Sequence, residues 1–169
     1  MTARRAWVSF WQLLDSENVR LFVWPYYMSL LAWGIYAAVW AQAQGISIVE
    51  PEMGHTVYVA WVWAHILGTV SVMIGLILRE GGKTLAEMTT FMLFRDWIGL
   101  WMQLGGHFCM WVVLIAYWVS GIKGAYFGQG VYSLFLVPPY IIGCLFLCLQ
   151  TARKLWRAEM LHRRIEAGR

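Results

Sequence analysis

Four uninterrupted apolar runs, each about twenty residues long, constrain this chain more than any other feature. They cover approximately Leu21 to Gln42, Thr56 to Leu78, Trp97 to Val119 and Val131 to Gln150, and none contains Asp, Glu, Lys or Arg. A helix rising about 1.5 Å per residue needs about 20 residues to cross a hydrocarbon layer about 30 Å thick. A water-soluble fold of 169 residues, 60% of them hydrophobic and 13% charged, has too little interior to hide so much apolar surface. Membrane β-strands would alternate in polarity over segments of about ten residues, and these runs do not alternate. The expected fold is therefore an all-α integral membrane protein, a four-transmembrane-helix bundle forming a single domain over residues 1–169.

A cleavable leader is the competing reading of the first run, because Ala41, Gln42 and Ala43 resemble a small-residue cleavage site. The run is longer than a leader's apolar core and is interrupted by Pro25, so it reads as a retained span.

Charge sets the orientation. Arg4, Arg5 and Arg20 precede the first run, Arg79, Lys83 and Arg95 lie between the second and third, and Arg153, Lys154, Arg157, Arg163, Arg164 and Arg169 follow the fourth. Lys123 alone stands on the other side. Basic residues accumulate in cytoplasmic loops, so both termini are expected on the cytoplasmic side of a bacterial-type inner membrane. The segment from Ala43 to His55, with Glu50 and Glu52 but no basic residue, fits an external loop. The formal charge of +4 is thus a topology signal, and the basic residues flank spans instead of forming a nucleic-acid-binding face.

Several segments outside the runs have a recognisable character. Residues 6–14 place bulky apolar groups at helical spacings beside Arg4 and Arg5, as in a short helix lying in the interface, and Asp15, Ser16 and Asn18 suit a helix cap. Gly81 and Gly82 read as a break, Thr84 with Glu87 as a capping box, and Leu85, Met88, Phe91, Met92 and Leu93 as an in-plane apolar stripe. Gly121, Gly124, Gly128 and Gly130 suggest a tight or re-entrant external loop. Pro138 and Pro139 then suggest that the fourth helix starts near them, with Val131 to Val137 a separate half-segment. Residues 151–169 form a basic amphipathic tail suited to anionic lipid or to a protein partner. Ala60, Ala64, Gly68, Ser71 and Gly75 give the second run a face of small residues for close helix packing. The twelve tryptophans, most near run ends, fit interfacial anchors.

Little in the chain offers chemistry. The three cysteines, Cys109, Cys144 and Cys148, all lie in apolar runs, where small buried side chains are the expected role. No carboxylate is available inside a run as a general base, and no paired nucleophile and base are evident. The exceptions are His65 and His107, since ionisable groups within a membrane are costly and point to function. Counted inward from the run ends they lie at similar depths. Two level imidazoles on neighbouring helices are what one b-type haem would need, with Gly68, Gly105 and Gly106 admitting the macrocycle and Gln103 orienting His107. The plainer expectation is that the histidines tie helices together and that no cofactor binds.

The leading functional reading is a non-enzymatic membrane protein acting through contacts, an accessory or assembly subunit with a membrane-protein partner or a second copy of itself. A haem-carrying electron-transfer subunit and a phage-type membrane effector, a holin or exclusion protein, are the alternatives.

Overall fold

The computed structural model describes residues 20–41, 53–79, 90–126 and 131–167. Among these every element is helical and there is no strand. Helix α1 covers Arg20–Tyr36 and continues as a π-helical segment, Ala37–Ala41. Helix α2 covers His55–Arg79, α3 Thr90–Tyr126 and α4 Val131–Ala167. Three stretches are long and apolar enough to cross a membrane: His55–Arg79, Phe94–Ile122 within α3 and Phe135–Met160 within α4. Residues 6–14, the loop with Glu50 and Glu52, and the Gly81 to Glu87 segment lie outside the described residues.

Three expectations are corrected. Pro138 and Pro139 do not start α4: they lie inside it, and Val131 to Val137 form its first turns. Proline in a helix interior removes a backbone hydrogen bond and crowds the preceding turn, but helices packed among neighbours in an apolar setting tolerate it. Likewise Gly121 and Gly124 belong to α3 and not to a loop, and Phe91, Met92 and Leu93 belong to α3 and not to a separate in-plane helix. An apolar run continues a helix until something supplies a better use for its backbone groups, and in a low-dielectric setting nothing does.

The packing is organised by α2 and α3, which run antiparallel at very short range. A methyl group added at Gly106 would sit 2.6 Å from the Gly68 carbonyl oxygen, and one added at Gly75 would sit 2.6 Å from that of Gly99. Hydrogen bonds follow the same register: Trp61 Nε1 donates to the Val113 carbonyl at 2.9 Å, Cys109 Sγ to that of Ala64 at 3.4 Å and Ser71 Oγ to that of Met102 at 3.0 Å. Small residues let backbones meet where no hydrophobic force separates helix from lipid. The small-residue face is thus Ala64, Gly68, Ser71 and Gly75, whereas Ala60 is exposed. Helix α4 packs along the other side of α3, with Cys148 Sγ directed at the Leu104 carbonyl. Tyr27, Val72, Met110, Leu114 and Cys144 fill the interior, while Leu67, Ile77, Phe108, Phe135 and Ile142 face outward.

The alternating directions collect the starts of α1 and α3 and the ends of α2 and of the apolar part of α4 at one end of the bundle. Arg20, Arg79, Arg95 and the Arg153 to Arg157 stretch all belong to that end.

The adjacent glycines Gly105 and Gly106 give a test. Gly106→Ala drives a methyl group into backbone and should cost about 1–3 kcal/mol, read as a lower melting temperature in detergent. Gly105 is exposed with nothing within 4 Å of an added Cβ, so Gly105→Ala should be neutral or stabilise by up to about 1 kcal/mol. Equal effects at the two positions would contradict the α2/α3 contact.

Candidate functional site

His65 and His107 are both buried, with 0% and 2% of their surface exposed. The α2/α3 register places Ala64 beside Cys109, so the two histidines differ in depth by about one residue or roughly 1.5 Å. They do not bond to each other. Both address α1, at positions three residues apart on it. His65 Nε2 donates to the Leu30 carbonyl at 2.9 Å, and His107 Nδ1 is paired with the Tyr27 hydroxyl. Two side chains that are costly to bury thereby become the means of holding α1 against α2 and α3.

Each lock has an aromatic or sulfur-bearing surround. Around His65, the Trp33 ring meets the imidazole edge-on at 5.2 Å and the Tyr117 ring at 4.6 Å, and Trp61 stacks on Tyr117 at 5.8 Å. Trp61 is therefore a core residue and not an interfacial anchor, and half-buried Trp33 packs against that core. Gly34 is the close-approach point for α1, since a Cβ there would lie 3.0 Å from His65 Cδ2. Around His107, the Tyr27 hydroxyl also lies 3.8 Å from Cys144 Sγ, and that sulfur is 3.0 Å from the Tyr26 hydroxyl. Tyr26 in turn donates to the Tyr140 carbonyl at 2.7 Å and stacks on the Tyr140 ring at 5.4 Å. The adjacent tyrosines thus split their duties, Tyr27 to α3 and Tyr26 to α4. Cys144 is buried as expected, but it serves as a polar neighbour to both hydroxyls and not as an apolar filler.

At the other end of α1 the Tyr58 hydroxyl donates to the Ala37 carbonyl at 3.0 Å, where the π-helical segment begins. A π turn disturbs the i to i−4 ladder, and the tyrosine supplies a donor there. Ala38, Tyr58, Val59, Val62 and Trp63 line a cleft of about 130 Å³ beside it, below the roughly 300–1,000 Å³ usual for small-molecule sites.

The remaining expected site residues are distributed differently. Gln103 does not orient His107; its Oε1 accepts from Arg79 Nη1 at 3.2 Å. Gly68 and Gly106 are occupied by the contact between α2 and α3, and Gly105 is on the outer surface. Among the described residues no three His, Cys, Asp or Glu side chains come together as a metal-binding group. Tyr26, Tyr27 and Trp33 were not singled out from the sequence. Their signal was present, since three side chains with polar hydrogens in the middle of an apolar run require partners.

Comparison with known proteins returned no match, whether to a family model, a curated protein or a solved structure.

If the histidines are ties, replacing either should free α1 and spare the rest. His65→Leu and His107→Leu are each expected to cost about 1–3 kcal/mol and to raise amide hydrogen exchange across Leu30 to Tyr36 in detergent. Phe108→Leu, at an exposed position on α3, should leave exchange unchanged. Unaltered protection of α1 in both histidine variants would contradict the assignment.

Proposed function

We propose that this chain is a four-span protein of a bacterial-type inner membrane, with both termini cytoplasmic, that works through contacts as an accessory or assembly subunit of a larger membrane complex. The observation that carries the reading is the employment of the two intramembrane histidines. Both are committed to holding α1, so the most expensive polar groups in the apolar section contribute architecture and not chemistry. Helix α1, with 17 residues of α-helix and five of π-helix, is about 30 Å long and supplies the fourth span. The gathering of arginines at one end of the bundle supports the cytoplasmic assignment of that end. The last part of α4, running on to Ala167, exposes Trp156, Arg157, Met160 and Arg163. An amphipathic helix standing out of a membrane domain is a natural surface for a membrane-protein partner, a second copy or the lipid surface.

A second reading is kept by one observation. With Nε2 of His65 donating to Leu30, Nδ1 carries a lone pair, and that buried nitrogen has no hydrogen-bond partner. A ligating histidine characteristically donates its other nitrogen to a backbone carbonyl, and in this reading His65 and His107 hold one b-type haem. The present packing favours it less. Backbone contact at Gly68 and Gly106 leaves no slot for a macrocycle between α2 and α3, and His107 Nδ1 is already engaged.

One purification separates the readings. The protein extracted from its native membrane in mild detergent should be colourless and accompanied by a partner chain at fixed stoichiometry. That partner should be lost when residues 153–169 are deleted. A Soret band with about one haem per chain would overturn the contact reading, as would a solitary monomer. Reporter fusions at Arg169 and near Glu50 should report cytoplasmic and external locations, and an external Arg169 would sink the four-span topology.

A further inference from the structure

We propose that the arginine-rich end of the α2/α3 contact is a binding site for the phosphate of an anionic phospholipid, built from Arg79, Arg95 and Gln103. Gly99 lets Arg79 reach Gln103, and the helix register sets Arg95 level with Arg79. Arg95, Gly99 and Gln103 stand at successive four-residue steps and so form one stripe along α3. Arg79, the last residue of α2, lays its side chain across the middle of that stripe: a Cβ on Gly99 would lie 2.8 Å from Arg79 Cγ. Continuing the register set by Gly68 with Gly106 and Gly75 with Gly99 puts residue 79 level with residue 95. Two guanidinium-bearing side chains therefore share one depth on facing helices, at the margin of the apolar layer.

The polar accounting of this group is incomplete in a direction that calls for an anion. Gln103 is 4% exposed, and its Oε1 accepts from Arg79 Nη1 at 3.2 Å. Its Nε2, bonded to the same carbon and so beside the Arg79 guanidinium, is buried with no hydrogen-bond partner, and so is Arg95 Nε. What is missing is an acceptor, not a donor. Asp96 follows Arg95 directly but lies about 100° away around the helix, off the stripe. A phosphate offers several acceptor oxygens and matches the planar fork of arginine. Basic pockets between spans on the cytoplasmic side are where anionic headgroups dock. The lipid source rests on the membrane orientation proposed above, while the site itself rests only on the geometry.

The test is lipid retention by the full chain in mild detergent, read by native mass spectrometry and by the shift of the melting midpoint. Phosphatidylglycerol or cardiolipin should stay bound and raise the midpoint, and phosphatidylcholine should not. Arg95→Gln and Gln103→Leu should each weaken retention about tenfold, whereas Arg163→Gln, on the exposed extension of α4, should not change it. Retention lost in Arg163→Gln and kept in both site variants would move binding to the tail and overturn the proposal. An equal midpoint shift from inorganic phosphate alone would overturn the lipid as its source. Because binding is read in detergent, an external Arg169 in the fusion experiment would refute the topology without touching this result.

Discussion

The contact of backbone with backbone between α2 and α3 is the constraint on which the rest of the molecule depends. At Gly75, Gly99 and Gly106 an added Cβ would lie 2.6–2.9 Å from a facing backbone oxygen, so only hydrogen fits at these contacts and they fix the register of the two helices. That register brings His65 and His107 to similar depth, where both reach α1, and it lets Arg79 cross Gly99 to reach Gln103. Loosening it would misalign the two histidines relative to α1 and separate the arginines at the bundle's end.

A second constraint acts through the solvent. In hydrocarbon there is no water to satisfy a stray donor or acceptor, and an unpaired group costs several kcal/mol, on the order of the transfer penalty for a polar group. The interior therefore pairs its polar side chains across helices: Tyr27 with His107, Tyr26 with the Tyr140 carbonyl, Tyr58 with the Ala37 carbonyl and Trp61 with the Val113 carbonyl. Each such bond is individually modest, about 0.6–2 kcal/mol in membranes. Their directions matter more than their sum, because together they leave α1 one way to dock. Among the buried polar atoms without a hydrogen-bond partner, Nδ1 of His65, Nε2 of Gln103 and Nε of Arg95 are the places where ligand hypotheses attach.

Hydropathy made much of the helix layout legible, because run length and the absence of charge are sufficient to call for spans; α2 and the apolar part of α3 coincide closely with runs two and three, while the apolar part of α4, Phe135–Met160, overlaps run four but extends past its end. The depth of the two histidines was legible for the same reason, as counting residues along a helix measures distance. What they face was not legible, since an apolar run says that a helix is buried in something but not which side meets protein. Gly105 and Gly106 illustrate this: they are adjacent in sequence, yet one is exposed and the other is pressed against Gly68. Pro138 and Pro139 misled because proline's local preference for a helix start is overridden where neighbouring helices support the backbone, and both lie inside α4.

If the buried histidines are ties between helices, the Tyr27 hydroxyl and the His107 imidazole must be energetically coupled, and a double-mutant cycle on the pair measures that coupling. Tyr27→Phe, His107→Leu and the double variant would be compared with the parent chain by reversible unfolding in detergent. If the hydroxyl and the imidazole hold α1 to α3, the cycle should return a coupling of about 1–2 kcal/mol. Two single variants whose effects simply add, within about 0.3–0.5 kcal/mol, would contradict the claim.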